Sequence, residues 1–240
     1  MPDVGTSFGW QEIAVTFTIL ALAAFLVTWL VTDVMRIGRT VYIAILSLVV
    51  AALSVGYLRW SDMPTGELLS NPLWGVVAGV VAAAIVFPLV RRLPRRPHEA
   101  GARLGELLRW EGGVYGIAEA TLLAALPVLV VWQGSSENRV LWGALAVLAS
   151  LIVVFVHHLG YAEFRAPAGR TKLMGALVTC GLQALAFLLT GSIWAPVVAH
   201  ILLHAQLIMR GVGLPPVETV TTRVAALRVP RAAPRYAPGG

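Results

Sequence analysis

The feature that most constrains this chain is a succession of seven apolar runs, at about 13–33, 41–58, 73–90, 114–133, 140–160, 172–190 and 193–209. Each approaches the length, about 17–25 residues, that an α-helix needs to cross the hydrocarbon of a bilayer. The spacing predicts an all-α, polytopic membrane helix bundle of about seven transmembrane helices.

Composition agrees with that environment. Only 12% of the 240 residues are charged and 58% are hydrophobic, with a mean hydropathy of +0.80. A soluble domain carries about 25% charged residues. The net charge of +6 sits in the connections. Arg36 and Arg39 follow the first run, and Arg91, Arg92, Arg95 and Arg96 the third. Arg165, Arg170 and Lys172 follow the fifth, and Arg210, Arg223, Arg228, Arg231 and Arg235 the seventh. The alternate connections are poor in basic residues. The positive-inside rule then puts the N-terminus outside and the C-terminus in the cytoplasm of a multi-pass protein of the cell membrane. So distributed, the basic charge reads as orientation and lipid contact, not nucleic-acid binding. The single cysteine, Cys180, lies mid-run and reads as a small apolar filler.

Three regions follow. Residues 1–112 hold three membrane spans and a cytoplasmic loop. In that loop Leu104, Leu107 and Leu108 share one helical face beside Arg103, Glu106 and Arg109, which predicts a short amphipathic helix on the cytoplasmic surface. Residues 113–210 hold four spans. Residues 211–240, rich in Pro, Arg and Ala, are expected to be a disordered tail.

Ionisable groups inside membrane helices are costly and mark functional sites by default. His200 and His204 stand four apart in the last run, so both rings lie on one helical face. His204 is six residues before Arg210, about 9 Å from the cytoplasmic end at 1.5 Å per residue. Glu119 lies about five residues into the fourth run, counted from the same side. His157 and His158 end the fifth. Four histidines and one carboxylate from three helices thus share a layer, and helix packing is expected to gather them into a polar pocket open to the cytoplasm.

The segments carrying these residues resemble the CPBP family of intramembrane proteases, the CAAX-prenyl-protease and bacteriocin-processing (Abi) family. That family has three motifs on separate membrane helices: Glu-Glu-x-x-x-Arg, Phe-x-x-x-His, and His-x-x-x-Asn or similar. Here TGSIWAPVVAH, from Thr190 to His200, is similar to the lead-in of the third motif, with His204 where the family often has Asn. ASLIVVFVHHLGY is similar to the second and favours His158 over His157, with Val154 at the Phe place. In AEATLLAAL, Glu119 matches one glutamate of the first motif: if it is the first, Ala120 and Ala124 stand at the second glutamate and the arginine, and if it is the second, Ala118 and Leu123 stand at the first glutamate and the arginine. The resemblance covers roughly residues 110–210, and the first three spans add nothing to it.

It implies an endopeptidase that hydrolyses a peptide bond in a membrane-associated peptide or protein. Glu119 and His158 would activate a water, and His200 and His204 would hold the oxyanion or orient the substrate. Donors aimed at a developing oxyanion often contribute the largest single part of catalysis. A neutral imidazole can donate through one ring nitrogen, as Asn can. The same four residues are suitable ligands for a divalent metal such as zinc, although the residue after His200 is Ile201 and not the Glu of the soluble zinc-protease signature. Two other classes remain open on the residues alone. One is a relative that lacks the second glutamate and the arginine of the first motif and binds a membrane peptide or lipidated protein without cleaving it. The other is a proton or metal-ion carrier.

Overall fold

The computed structural model describes residues 8–93, 95, 103–134 and 138–212. They form a helical bundle with no strand among the described residues. Six helices are long and apolar enough to cross a membrane: α1 (Trp10–Val34), α2 (Arg39–Trp60), α3 (Pro72–Arg91), α4 (Leu104–Trp132), α5 (Arg139–Leu159) and α6 (Arg170–Thr190). A shorter apolar helix, α7 (Trp194–Met209), follows. Single helical turns at Thr65–Leu68 and Ala162–Arg165 lie in connections. The expected tail falls beyond Val212, outside the described residues.

Local chemistry sets the helix ends. Pro72 opens α3, where its missing N–H is not needed. Asn71 before it and Arg36 between α1 and α2 turn the chain at φ 51° and 52°. Gly191, at φ 67°, ends α6 in the left-handed conformation that glycine adopts without a Cβ penalty. Two residues later the chain reverses into α7.

α4 is the hub. In its most apolar window 83% of the residues are buried inside the protein, against 22–44% for the other long helices. The others turn large apolar side chains outward, among them Leu73 at 72% exposure and Leu189 at 75%. Such a surface is stable in a lipid bilayer and not in water. The amphipathic segment expected on the membrane surface is instead the first turn of α4. A π-helical stretch, Leu108–Val114, carries the chain through Gly112-Gly113 without a break. A second π-helical stretch, Ala120–Ala125, follows Glu119. Such irregular turns are common beside functional residues.

α7 packs parallel to α3 on small residues. A Cβ at Gly75 would meet Ser192 Oγ at 2.6 Å, and one at Gly79 would meet the Ala195 carbonyl oxygen at 2.6 Å. With Ala83 this is a small-xxx-small row, the motif that lets membrane helices approach closely. Ile193 N–H donates to the Leu68 carbonyl at 3.0 Å near the start of α3. Arg210 donates to the Arg91 carbonyl at 2.7 Å at its far end.

The basic ends meet. Arg39 pairs with Glu111 at 3.0 Å and Arg165 pairs with Asp33, so the C-terminus of α1, the N-termini of α2 and α4, and the end of α5 share one face of the bundle. At the opposite face Trp10 stacks on Trp142 and Phe8 meets Trp60. Tryptophan is enriched at membrane interfaces.

Candidate functional site

Glu119 lies about four turns from the basic N-terminal end of α4, 5% exposed. Three histidines reach its carboxylate with Nε2. His157 from α5 is 3.2 Å from Oε1, while His200 and His204 from α7 are each 3.1 Å from Oε2. Tyr115, one turn before Glu119 on α4, donates its hydroxyl to Oε1 at 2.5 Å. Gly116 lets α7 come close here, because a Cβ there would already stand 3.3 Å from the Ile201 side chain.

The structure therefore brings Glu119, His200 and His204 together. It does not bring His158, which the motif favoured, to the carboxylate. Successive residues of a helix point about 100° apart, and the phase of α5 turns His157 inward. His158 places Nδ1 2.8 Å from the Val154 carbonyl and packs its ring edge-to-face on Phe164. The pocket expected to open to the cytoplasm is a closed cluster instead. His157, His200 and His204 are 0%, 3% and 8% exposed.

The outer nitrogen of each histidine is also anchored. His204 Nδ1 is 3.0 Å from the Glu111 carbonyl oxygen and His200 Nδ1 is 2.7 Å from Gln183 Oε1. His157 Nδ1 lies 3.0 Å from Thr28 Oγ1 and 3.3 Å from the Ala24 carbonyl. A carbonyl only accepts, so His204 Nδ1 must carry the hydrogen, and its neutral ring turns the Nε2 lone pair toward Glu119. A lone pair facing a carboxylate oxygen at 3.1 Å is repulsive unless a proton or a metal cation lies between them.

This donor chemistry fits a cation. Glu119, His200 and His204 offer ligand atoms within 4.8 Å of one another. Their Nδ1 anchors match the outer-shell contacts that orient metal-binding histidines.

Several site residues were not singled out from the sequence: Thr28 on α1, Tyr42 on α2, Tyr115 on α4, Tyr161 just past α5, Gln183 on α6 and the Arg39–Glu111 pair. Two carried a readable signal. Tyr115 precedes Glu119 by four residues and Tyr161 follows His157 by four, the spacing of neighbours on one helical face. The first two helices, which add nothing to the family resemblance, thus contribute directly to this cluster. Comparisons with family models, with curated proteins and with solved structures find no match for this chain.

Proposed function

We propose that this chain is an intramembrane endopeptidase of the CPBP type, in which Glu119 activates a water to hydrolyse a peptide bond near the cytoplasmic side of the membrane. The observation that carries the reading is the convergence of three imidazole Nε2 atoms, from two helices, on one buried carboxylate. A general base works only within hydrogen-bond reach of its proton and in a fixed orientation, and each group here is held from behind by a second contact.

In this reading Glu119 takes the proton of the attacking water and His157 stands in the role that the motif gave to His158. His200 and His204, on the opposite carboxylate oxygen, orient the substrate carbonyl or stabilise the oxyanion. A divalent ion such as zinc, held by Glu119, His200 and His204, would add Lewis-acid polarisation of the water. Since the cluster is closed, substrate entry requires α7 to part from α4 and α5 at the basic end.

α7 counts as the seventh span in this proposal, because it runs beside α3 from end to end. The basic face is then cytoplasmic, with the N-terminus outside and the C-terminus inside the cell membrane. The closed cluster, together with Ala120 and Ala124 at the family's second Glu and Arg, favours a second reading: a relative that binds a membrane peptide without cleaving it. Reporter cleavage by wild type and Glu119→Gln in the same liposomes separates the two. Turnover lost in the variant supports the peptidase, and capture without turnover by both supports the binder.

A further inference from the structure

Glu119 lacks the second glutamate and the arginine of the motif it resembles. Ala120 and Ala124 stand there, both fully buried. A carboxylate that must act in one orientation needs something else to hold it, and the structure offers a chain of hydroxyls that starts on α4 itself and runs into α1 and α2, outside the motif. Tyr115 lies 2.5 Å from Glu119 Oε1 and 2.7 Å from Tyr161. Tyr161 lies 2.8 Å from Tyr42, and Tyr42 lies 3.2 Å from Thr28. Thr28 lies 3.0 Å from His157 Nδ1, and His157 Nε2 returns to Glu119 Oε1 at 3.2 Å. All six residues are at most 5% exposed.

Each hydroxyl has one hydrogen to give. An ionised Glu119 accepts only, so Tyr115 must donate to it. Tyr161 must then donate to Tyr115, Tyr42 to Tyr161 and Thr28 to Tyr42. The hydrogen on Thr28 Oγ1 is thereby spent, so His157 Nδ1–H donates to it. One sense of donation runs through these five bonds, from His157 Nδ1–H to Glu119 Oε1; the sixth contact, His157 Nε2 with Glu119 Oε1, then needs a proton or a cation between lone pair and carboxylate, as at His204. Reversing any one member would leave two buried oxygens facing each other with no hydrogen between them, which is costly in a medium without water.

We propose that Tyr115, Tyr161, Tyr42 and Thr28 are positioning residues. They fix Glu119 through Oε1 and His157 through Nδ1, and they leave Oε2 for His200, His204 and the reacting group. In this chain α1 and α2 replace the brace that the motif's missing Glu and Arg would supply. This rests on the peptidase reading for its catalytic consequence, but the hydrogen-bond chain itself can be tested without it.

The experiment measures kcat and KM on a panel of fluorogenic single-span membrane reporters, in liposomes, with thermal unfolding of each variant. Tyr115→Phe should lower kcat roughly ten- to a hundred-fold, the range for a hydrogen bond to a charged group, with KM and Tm little changed. Thr28→Val keeps the shape of threonine and removes its hydroxyl. It should lower kcat about three- to ten-fold, and Thr28→Ser should restore most of the loss. A packing role would give the opposite order, because Val fills the site better than Ser. Tyr57→Phe is the control, since the Tyr57 hydroxyl on the same α2 has no hydrogen-bond partner among the described residues. The second measurement is the infrared carboxylate band of protein labelled with 13C-glutamate. Tyr115→Phe and Thr28→Val should both shift it relative to wild type, and Tyr57→Phe should not. Unchanged kcat in Tyr115→Phe, better activity in Thr28→Val than in Thr28→Ser, or an unmoved infrared band would overturn the proposal. If wild type cleaves no reporter, the peptidase reading falls and the infrared band alone decides on the brace.

Discussion

Gly79→Ala adds a single methyl group where α3 crosses α7, and its consequence for the site can be worked from the packing. The new Cβ would lie 2.6 Å from the Ala195 carbonyl oxygen, 3.0 Å from Val198 Cβ and 3.2 Å from Ala199 N. Comfortable heavy-atom contacts begin near 3.5 Å, and the first and third partners are backbone, so rotamer changes cannot relieve them. α7 must retreat by about 0.9 Å to restore ordinary separation. His200 is the next residue along, and its Nε2 already sits 3.1 Å from Glu119 Oε2. α4 packs on the other side of α7, with Gly116 against Ile201 and Gly112 against Ile208, so a shift of that size presses α7 into α4 and displaces His200 from its seat on Glu119 by more than the ~0.5 Å tolerance of a catalytic constellation. Overpacking of a tight core costs about 1–3 kcal/mol, which lowers the Tm of a chain of this size by roughly 2–10 °C. Thermal unfolding in detergent and reporter cleavage in liposomes read the two effects separately. Gly56→Ala on α2 is the control, because nothing lies within 4 Å of a Cβ there, and it should unfold no earlier than wild type. Gly79→Ala that unfolds with wild type and cleaves at its rate would refute both the parallel α3–α7 contact and its link to the site.

Other outcomes follow from the same geometry. His157→Ala should reduce reporter cleavage at least a hundred-fold by removing a group in contact with Glu119, whereas His158→Ala should stay within about three-fold; the reverse order would return the second-motif role to His158. His204→Asn should retain most activity, because Asn can still donate to a substrate oxygen, and His204→Ala should lose at least ten-fold; equal loss in both would tie His204 to metal binding, which metal content of the purified variants then checks. For topology, with Cys180 buried, a cysteine at Gly5 should react with an impermeant reagent on intact cells and one at Gly239 should not. Reversed labelling would invert the orientation.

The bundle was legible because lipid imposes a strong pattern. Long apolar runs and basic connections survive in the sequence whatever the packing: six of the seven expected runs lie in helices long enough to span, and the seventh is a shorter apolar helix. Glu119, His200 and His204 were legible for a similar reason: an ionisable group in such a run stands out. His157 and His158 could not be told apart, because the apolar residues around α5 do not reveal which face turns inward. The segment around Leu104, Leu107 and Leu108 read as a separate surface helix because its amphipathic face is a local signal; packing against α7 and a π-helical turn carry it through Gly112-Gly113 into α4. Thr28 and Tyr42 were silent since a threonine or tyrosine in a membrane helix needs no special explanation, and only tertiary contact made them partners of Glu119. The closed state of the cluster was equally invisible, because depth along a helix says which residues share a layer and nothing about the space left between them.

The most direct measurement is cleavage of the reporter panel by wild type and Glu119→Gln, with reporter capture followed by crosslinking in the same liposomes. The amide keeps the shape of the carboxylate and cannot act as a base. The peptidase reading predicts turnover by wild type, at least a hundred-fold less by Glu119→Gln, and similar capture by both. Equal turnover in the two, or capture without turnover in wild type, would contradict it.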